Sequence, residues 1–246
     1  MSGDTLEAGL SPHQRDTRPA GGFFFFAHVT LLVSVLVGFA PTFYLRPLYS
    51  THSLPIVLYV HGTVLSCWFI LTVLQGWLIR TKRYQLHRQI GIAIAVYAAL
   101  VVAMGLVADL RMASEIRTAQ DGDNFVVWGN FFSLVLFTSY VLLAVVLRKR
   151  SDAHKRLILL ASISIVGPAL ARFTEWPIFP GGMNARPYYG GGGLLLLYGV
   201  LIVYDLIVRR RPHPASWIGA LALLACSAIA VYLAVSGAGF HLLHGA

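Results

Sequence analysis

Long apolar runs separated by short polar segments fill the chain from residue 22 onward. A helix rising 1.5 Å per residue needs about 20 apolar residues to cross a hydrocarbon core of ~30 Å. Runs of that kind fall at 22–45, 54–80, 89–110, 125–147, 157–175, 191–208 and 215–238. The pattern predicts an all-α integral membrane bundle of about seven transmembrane helices over residues 22–246. The fifth and sixth runs are the shortest, with the Gly/Pro-rich segment 176–193 between them. Pro41 and Pro168 should kink the first and fifth helices, because proline lacks an N–H and crowds the carbonyl four residues back. The polar stretch 1–21, rich in Gly, Pro and charge, reads as a disordered cytoplasmic tail. The apolar run after it is too long for a secretory signal and is expected to stay as the first helix.

Charge decides direction. Arg80, Lys82, Arg83 and Arg88 lie in one loop, Arg148, Lys149, Arg150, Lys155 and Arg156 in a second, and Arg209, Arg210 and Arg211 in a third. The alternate loops are mixed, with Asp109, Arg111, Glu115, Arg117, Asp121 and Asp123 in one and Glu175 and Arg186 in another. The positive-inside rule then puts the basic loops and the N-terminus in the cytoplasm and the C-terminus outside. A multi-pass protein of the bacterial inner membrane is expected.

Composition agrees with this reading. Hydrophobic residues make up 57% of the 246, charged residues 12%, against roughly 25% charged in a soluble domain. The net charge of +9 sits in short loop clusters rather than on one continuous face. Nucleic acid is therefore not an expected partner, whereas the lipid bilayer is, along with a membrane-protein partner or a second copy of the chain. Cys67 and Cys226 lie inside apolar runs, with no disulfide or zinc spacing. The lysines, Lys82, Lys149 and Lys155, are all in basic loops. The last helix thus has no lysine for a retinal Schiff base, and the inferred orientation is opposite to that of rhodopsins and G-protein-coupled receptors.

A shift of 67 residues aligns helices 2–3 with helices 4–5: Val60-His61-Gly62 falls on Val127-Trp128-Gly129, Lys82-Arg83 on Lys149-Arg150, and His87-Arg88 on His154-Lys155. Such a duplicated helix pair gives a pseudo-symmetric four-helix core, a common place for cofactors, with His87 and His154 in equivalent positions.

Polar residues inside the runs carry the candidate chemistry. His61 lies within the second helix, where an ionisable side chain is costly; Asn130 and Ser133 are expected at similar depth. It reads either as a cofactor ligand or as a neutral histidine bonded between helices. His87 and His154 each open a helix beside basic residues, suited to ligating one iron between them or to meeting headgroups. His28 is a third histidine on the same side. Arg172 is expected to pair with Glu175 three residues on, or to meet an anion or quinone. Asp205 is expected to pair with Arg209 one turn on, and Gln75 to bond across helices. His241 and His244, close to the C-terminus on the outer side, read either as metal ligands or as terminal histidines without a role. No P-loop, GxSxG, HExxH or dinucleotide fingerprint is present, so hydrolase and nucleotide-driven activities lack support.

Phe39-Ala-Pro41 with Tyr44 and Arg46, His61-Gly62, Trp68, Gln75 and Leu86-His87-Arg88 with Gly91 resemble a bacterial family of multi-spanning membrane proteins without an established activity. His154-Lys155-Arg156-Leu157, Gly167-Pro168 with Arg172, and Tyr204-Asp205 through Arg211 and His213 extend the likeness over most of the chain. A fainter resemblance is to cytochrome b561-type haem proteins, which hold haems between histidines on a four-helix core. That likeness implies histidine-ligated haem b, and since the repeat partner of His61 is Trp128, one haem or none rather than two.

The leading expectation is a redox-type or cofactor-binding bundle taking haem b or quinone. His61, His87 and His154 are its candidate metal ligands, and Arg172 and Asn130 further cofactor contacts. A transporter or channel using His61 and Arg172, and an accessory or assembly subunit of a membrane complex, are the alternatives. The pattern identifies no catalytic residue.

Overall fold

In hydrocarbon every backbone N–H must find its acceptor within the protein, so apolar runs of this length become helices. The computed structural model describes residues 22–245; the tail expected at 1–21 lies outside them. Helix α1 spans Gly22–Phe39 and runs on through a π-helical turn, Ala40–Tyr44. Helices α2 (Ile56–Arg80), α3 (Tyr84–Glu115) and α4 (Asp123–Val146) follow. Then come α5 (Ser151–Ser164) and α6 (Gly167–Ala171), with a 3-10 turn Arg172–Glu175. Helices α7 (Gly193–Arg209), α8 (Pro214–Val235) and the short α9 (Ala238–His244) complete the chain. Six helical segments are long and apolar enough to cross a membrane, and the pair Ser151–Ser164 and Gly167–Glu175, bent by 44°, brings the number to seven when counted as one span. The protein is a multi-pass integral membrane protein, built entirely of helices among the described residues.

Pro168 bends its helix as expected, whereas at Pro41 the first span passes into a π-helical turn and continues. Helix α5 stops at Ser164, the residue four before Pro168, and the axis bends by 44° there. At Pro41 the carbonyl deprived of its helical donor is that of Val37. The Trp176 indole N–H, far away in sequence, donates to it at 3.0 Å. The third helix runs about a turn further than the hydropathy pattern at each end, which brings His87 inside its first turn.

The bent span α5–α6 is the axis of the bundle. It packs against α1, α4, α7 and α8, and Trp68 of α2 reaches it by donating to the Ser162 hydroxyl at 3.2 Å. Every residue from Leu159 to Val166 is buried. The surrounding helices instead turn large apolar side chains outward, among them Ile92, Val96, Leu142 and Val235. Such a surface suits lipid, and polar side chains collect inward where neighbouring helices satisfy them. Close crossings need small residues: a Cβ on Gly38 would collide with the backbone of Ala169 in α6.

The three basic loops meet at one end. Arg80 lies over the Phe25 and Phe26 rings of α1, Lys155 over Phe24, and Arg209 reaches Asp152 at 3.1 Å. At this basic end Asp205 takes a different partner from the expected Arg209. Its Oδ1 accepts from Nε (2.9 Å) and Nη2 of Arg156, while Oδ2 accepts from the Ser216 hydroxyl at 2.6 Å and the His213 N–H at 3.0 Å. Both charged groups are buried. Arg209 leans away to Asp152, because α5 offers Asp205 a cation deeper in the bundle.

Candidate cofactor site

Four helices place polar side chains in the basic half of the bundle. His28 comes from α1, Gln75 from α2, His87 from the first turn of α3 and His154 from the first turn of α5. The ring of His87 lies beside the Gln75 backbone and near enough to His154 for their charges to interact. The Gln75 amide in turn faces Gly91, one turn further along α3. His28 is directed at α5 near Ile158, one turn deeper than His154.

Hydrogen bonds assign the protons. His154 Nδ1 sits 2.9 Å from the Ala144 carbonyl, and His28 Nδ1 sits 2.7 Å from that of Phe24. A carbonyl only accepts, so in both rings Nδ1 carries the hydrogen and, in the neutral ring, Nε2 presents a lone pair. Backbone anchoring of one nitrogen is the usual way a ligating imidazole is oriented. Meanwhile several buried polar atoms have no hydrogen-bond partner among the described residues: His28 Nε2, His87 Nδ1, and both Nε2 and Oε1 of Gln75. Each such atom costs about 1–3 kcal/mol unless something meets it. The nearest backbone to the His28 ring is Ile158 and to the His87 ring Gln75, at longer or less aligned geometry than an ordinary hydrogen bond.

His61 stands apart from this group. It precedes Gln75 on α2 by 14 residues, about 20 Å along the axis at helical rise. Its Nδ1 meets the Met104 carbonyl of α3 at 3.0 Å, rather than Asn130 or Ser133; the Ser133 hydroxyl bonds its own helix at Gly129. Arg172 lies near enough to His61 to act on it electrostatically. The guanidinium donates to the Pro168 carbonyl at 3.0 Å and rests over the Phe39 ring. Glu175, expected to pair with Arg172, pairs with Arg186 instead, which the turn at Gly182–Ala185 brings over it. Asn130 lies beside Asp109, a buried carboxyl whose two oxygens have no hydrogen-bond partner meeting ordinary geometry among the described residues.

The structure thus divides the candidate residues between two ends of the bundle. His87 and His154 lie near each other at the basic end. His61 with Arg172, and Asn130 with Asp109, lie toward the other. Among the described residues no three His, Cys, Asp or Glu side chains assemble around one metal position, so the three histidines do not form one centre. The sequence pattern passed over Arg156 and Asp109. Arg156 looked like one more loop cation, and its place late in a basic run next to Leu157 was the available hint. Comparison with protein-family models, with curated proteins and with solved structures finds no match to this chain, so the likenesses to known families rest on the quoted residues alone.

Proposed function

We propose that this protein is a membrane redox-type protein that binds haem b through His87 and His154 at its basic end. One observation carries the reading: two helix-opening imidazoles lie near each other there, one with its proton fixed on Nδ1, with the unpartnered side-chain atoms of Gln75 and His87 at the same end. Haem held between imidazoles supplies one-electron transfer. The chain's part is to orient the rings. The Ala144 carbonyl fixes the His154 tautomer, the first turn of α3 holds His87, and Gln75 and His28 provide polar contacts within an apolar bundle. With basic loops in the cytoplasm the site faces the inner leaflet of a bacterial inner membrane, the N-terminus is inside and the C-terminus outside. The resemblance to cytochrome b561-type proteins agrees with histidine ligation.

The test is an absorbance spectrum of detergent-solubilised protein after haem-replete expression. A Soret band is expected, lost in His87→Ala and His154→Ala and retained in His61→Ala. Absence of the band from the wild-type protein would sink the haem assignment. If extractable quinone accompanies the protein instead, the same polar cluster serves a quinone head group.

A second reading, transport of a cation or proton, is favoured by Asp109, a buried carboxyl whose oxygens have no ordinary hydrogen-bond partner among the described residues. Ion flux into proteoliposomes that disappears in Asp109→Asn supports it, and equal flux from the variant removes it.

A further inference from the structure

A cavity of about 660 Å³ opens at the basic end between α4, α5 and α8, away from the histidine cluster. Its walls are Leu143 and Leu147 of α4, Leu157 of α5 and Ile218 of α8, and its mouth carries Lys149, Arg150 and Asp152. We propose that this cleft is a binding site for an anionic phospholipid, with the phosphate at Lys149 and Arg150 and one acyl chain along the apolar wall.

Three observations support one occupant. First, the wall is lipid-compatible along its whole length, and Leu143 and Ile218 are exposed at its edge, so an acyl chain enters sideways from the bilayer. Second, the mouth is cationic in effect. Lys149 and Arg150 are exposed and make no side-chain ion pair among the described residues. The one acid there, Asp152, is already held by Lys155 at 2.7 Å, by Arg209 at 3.1 Å and by Arg156 at 3.7 Å. Third, α5 begins at Ser151 without a side-chain cap. The Ala153 and His154 N–H groups donate to the Arg150 carbonyl, which leaves those of Ser151 and Asp152 to add to the same positive field, since a helix N-terminus attracts anions. The N-terminus of α8 contributes less, because the His213 ring already caps Ala215 at 3.1 Å. A phosphate group alone uses only the mouth and a neutral lipid only the wall. An anionic lipid uses both, and such lipids populate the cytoplasmic leaflet, where basic pockets between helices recruit them. The inference is independent of the haem reading, since no histidine of that cluster lines the cleft.

Native mass spectrometry of the detergent-solubilised protein tests it, with phosphatidylglycerol and phosphatidylcholine titrated separately and glycerol phosphate as the soluble competitor. Phosphatidylglycerol should be retained preferentially and resist displacement by glycerol phosphate. The double variant K149Q/R150Q should bind it about twenty-five-fold more weakly, at about fivefold per surface cation. Ile218→Trp, which fills the cleft from its exposed edge and leaves the charges in place, should weaken retention of either lipid. Monodisperse elution of both variants shows that they are folded. Equal retention of the two lipids by the wild-type protein, or unchanged retention of phosphatidylglycerol in both variants, overturns the proposal. Displacement by glycerol phosphate at concentrations matching the lipid overturns its acyl-chain part.

Discussion

Replacing Asp205 by alanine removes one carboxylate that four donors share. Arg156 Nε and Nη2, the Ser216 hydroxyl and the His213 N–H all point at it, and both Asp205 and Arg156 are buried. The guanidinium that remains keeps only weaker partners: Nη1 holds the Asp152 carbonyl at 2.8 Å, the half-exposed Asp152 carboxylate lies 3.7 Å away, and the Phe24 ring lies at 5.4 Å. Truncating one member of a buried ion pair typically costs 3–5 kcal/mol, most of it from stranding the other charge. At about 2–4 °C per kcal/mol for a chain of this size, Asp205→Ala should lower Tm by roughly 6–20 °C. Scanning fluorimetry on the five tryptophans in a fixed detergent, at one scan rate, reads this directly. Asp205→Asn keeps the shape but turns an amide N–H toward a donor, so its loss should be intermediate. The double variant Arg156→Met with Asp205→Leu removes both charges together. It should recover more than half of the single variant's loss, because apolar replacement of a buried pair is often neutral. The reasoning fails if Asp205→Ala melts within about 3 °C of wild type, which corresponds to only about 1 kcal/mol. It also fails if the double variant loses as much as the two single changes added together.

Other outcomes follow from the same geometry. Trp176→Phe keeps the ring but removes the donor to the Val37 carbonyl left open by Pro41, an exposed hydrogen bond, and should cost about 0.5–1.5 kcal/mol; an unchanged melting curve would mean that this contact contributes nothing. Gly38→Val drives a side chain into the Ala169 backbone, where neither helix can yield cheaply. It should destabilise by about 1–3 kcal/mol, whereas Gly122→Ala, with open space around it, should stay within about 0.5 kcal/mol. His213 precedes α8, outside the spans, and its Nδ1 accepts the Ala215 N–H, which requires the neutral ring. Burial, then the Arg156 and Arg209 charges, lower its pKa below the ordinary 6.5. The unfolded chain therefore takes up the proton first on acidification. The histidine's contribution is present above the unfolded value and is lost as pH falls through the lowered folded one. His213→Asn keeps a capping oxygen without titration, so its Tm should fall less than that of wild type between about pH 8 and pH 5. Parallel curves would remove the histidine from the pH response.

Span number and span position were legible because hydropathy acts residue by residue, and a lipid solvent rewards it without reference to neighbours. The break at Pro168 was legible for a related reason: a missing N–H is a local defect wherever the chain goes. Pairing was different. Local spacing matched Arg172 with Glu175 and Asp205 with Arg209, yet each acid found a better cation from elsewhere, Arg186 and Arg156. Inside a bundle, depth and the reach of a neighbouring helix outweigh the small gain of an exposed one-turn pair.

The histidines show where that boundary lies for function. Their presence in apolar or helix-opening positions could be read from the chain, as could the equivalence of His87 and His154 under the 67-residue shift. That those two lie near each other at the Gln75 end, while His61 is bonded to Met104 toward the opposite end, depends on how α2, α3 and α5 are rotated about their axes. So does the burial of α5 as the central helix, although its stretch Ser151–Ser164 is not the most apolar of the chain. By itself the sequence determined that this chain crosses a membrane about seven times and where it turns. Only the tertiary structure decided which helix lies inside and which polar groups meet. Partition into lipid is a sum over single residues, whereas rotation and contact are set by side-chain packing between helices that lie far apart in sequence.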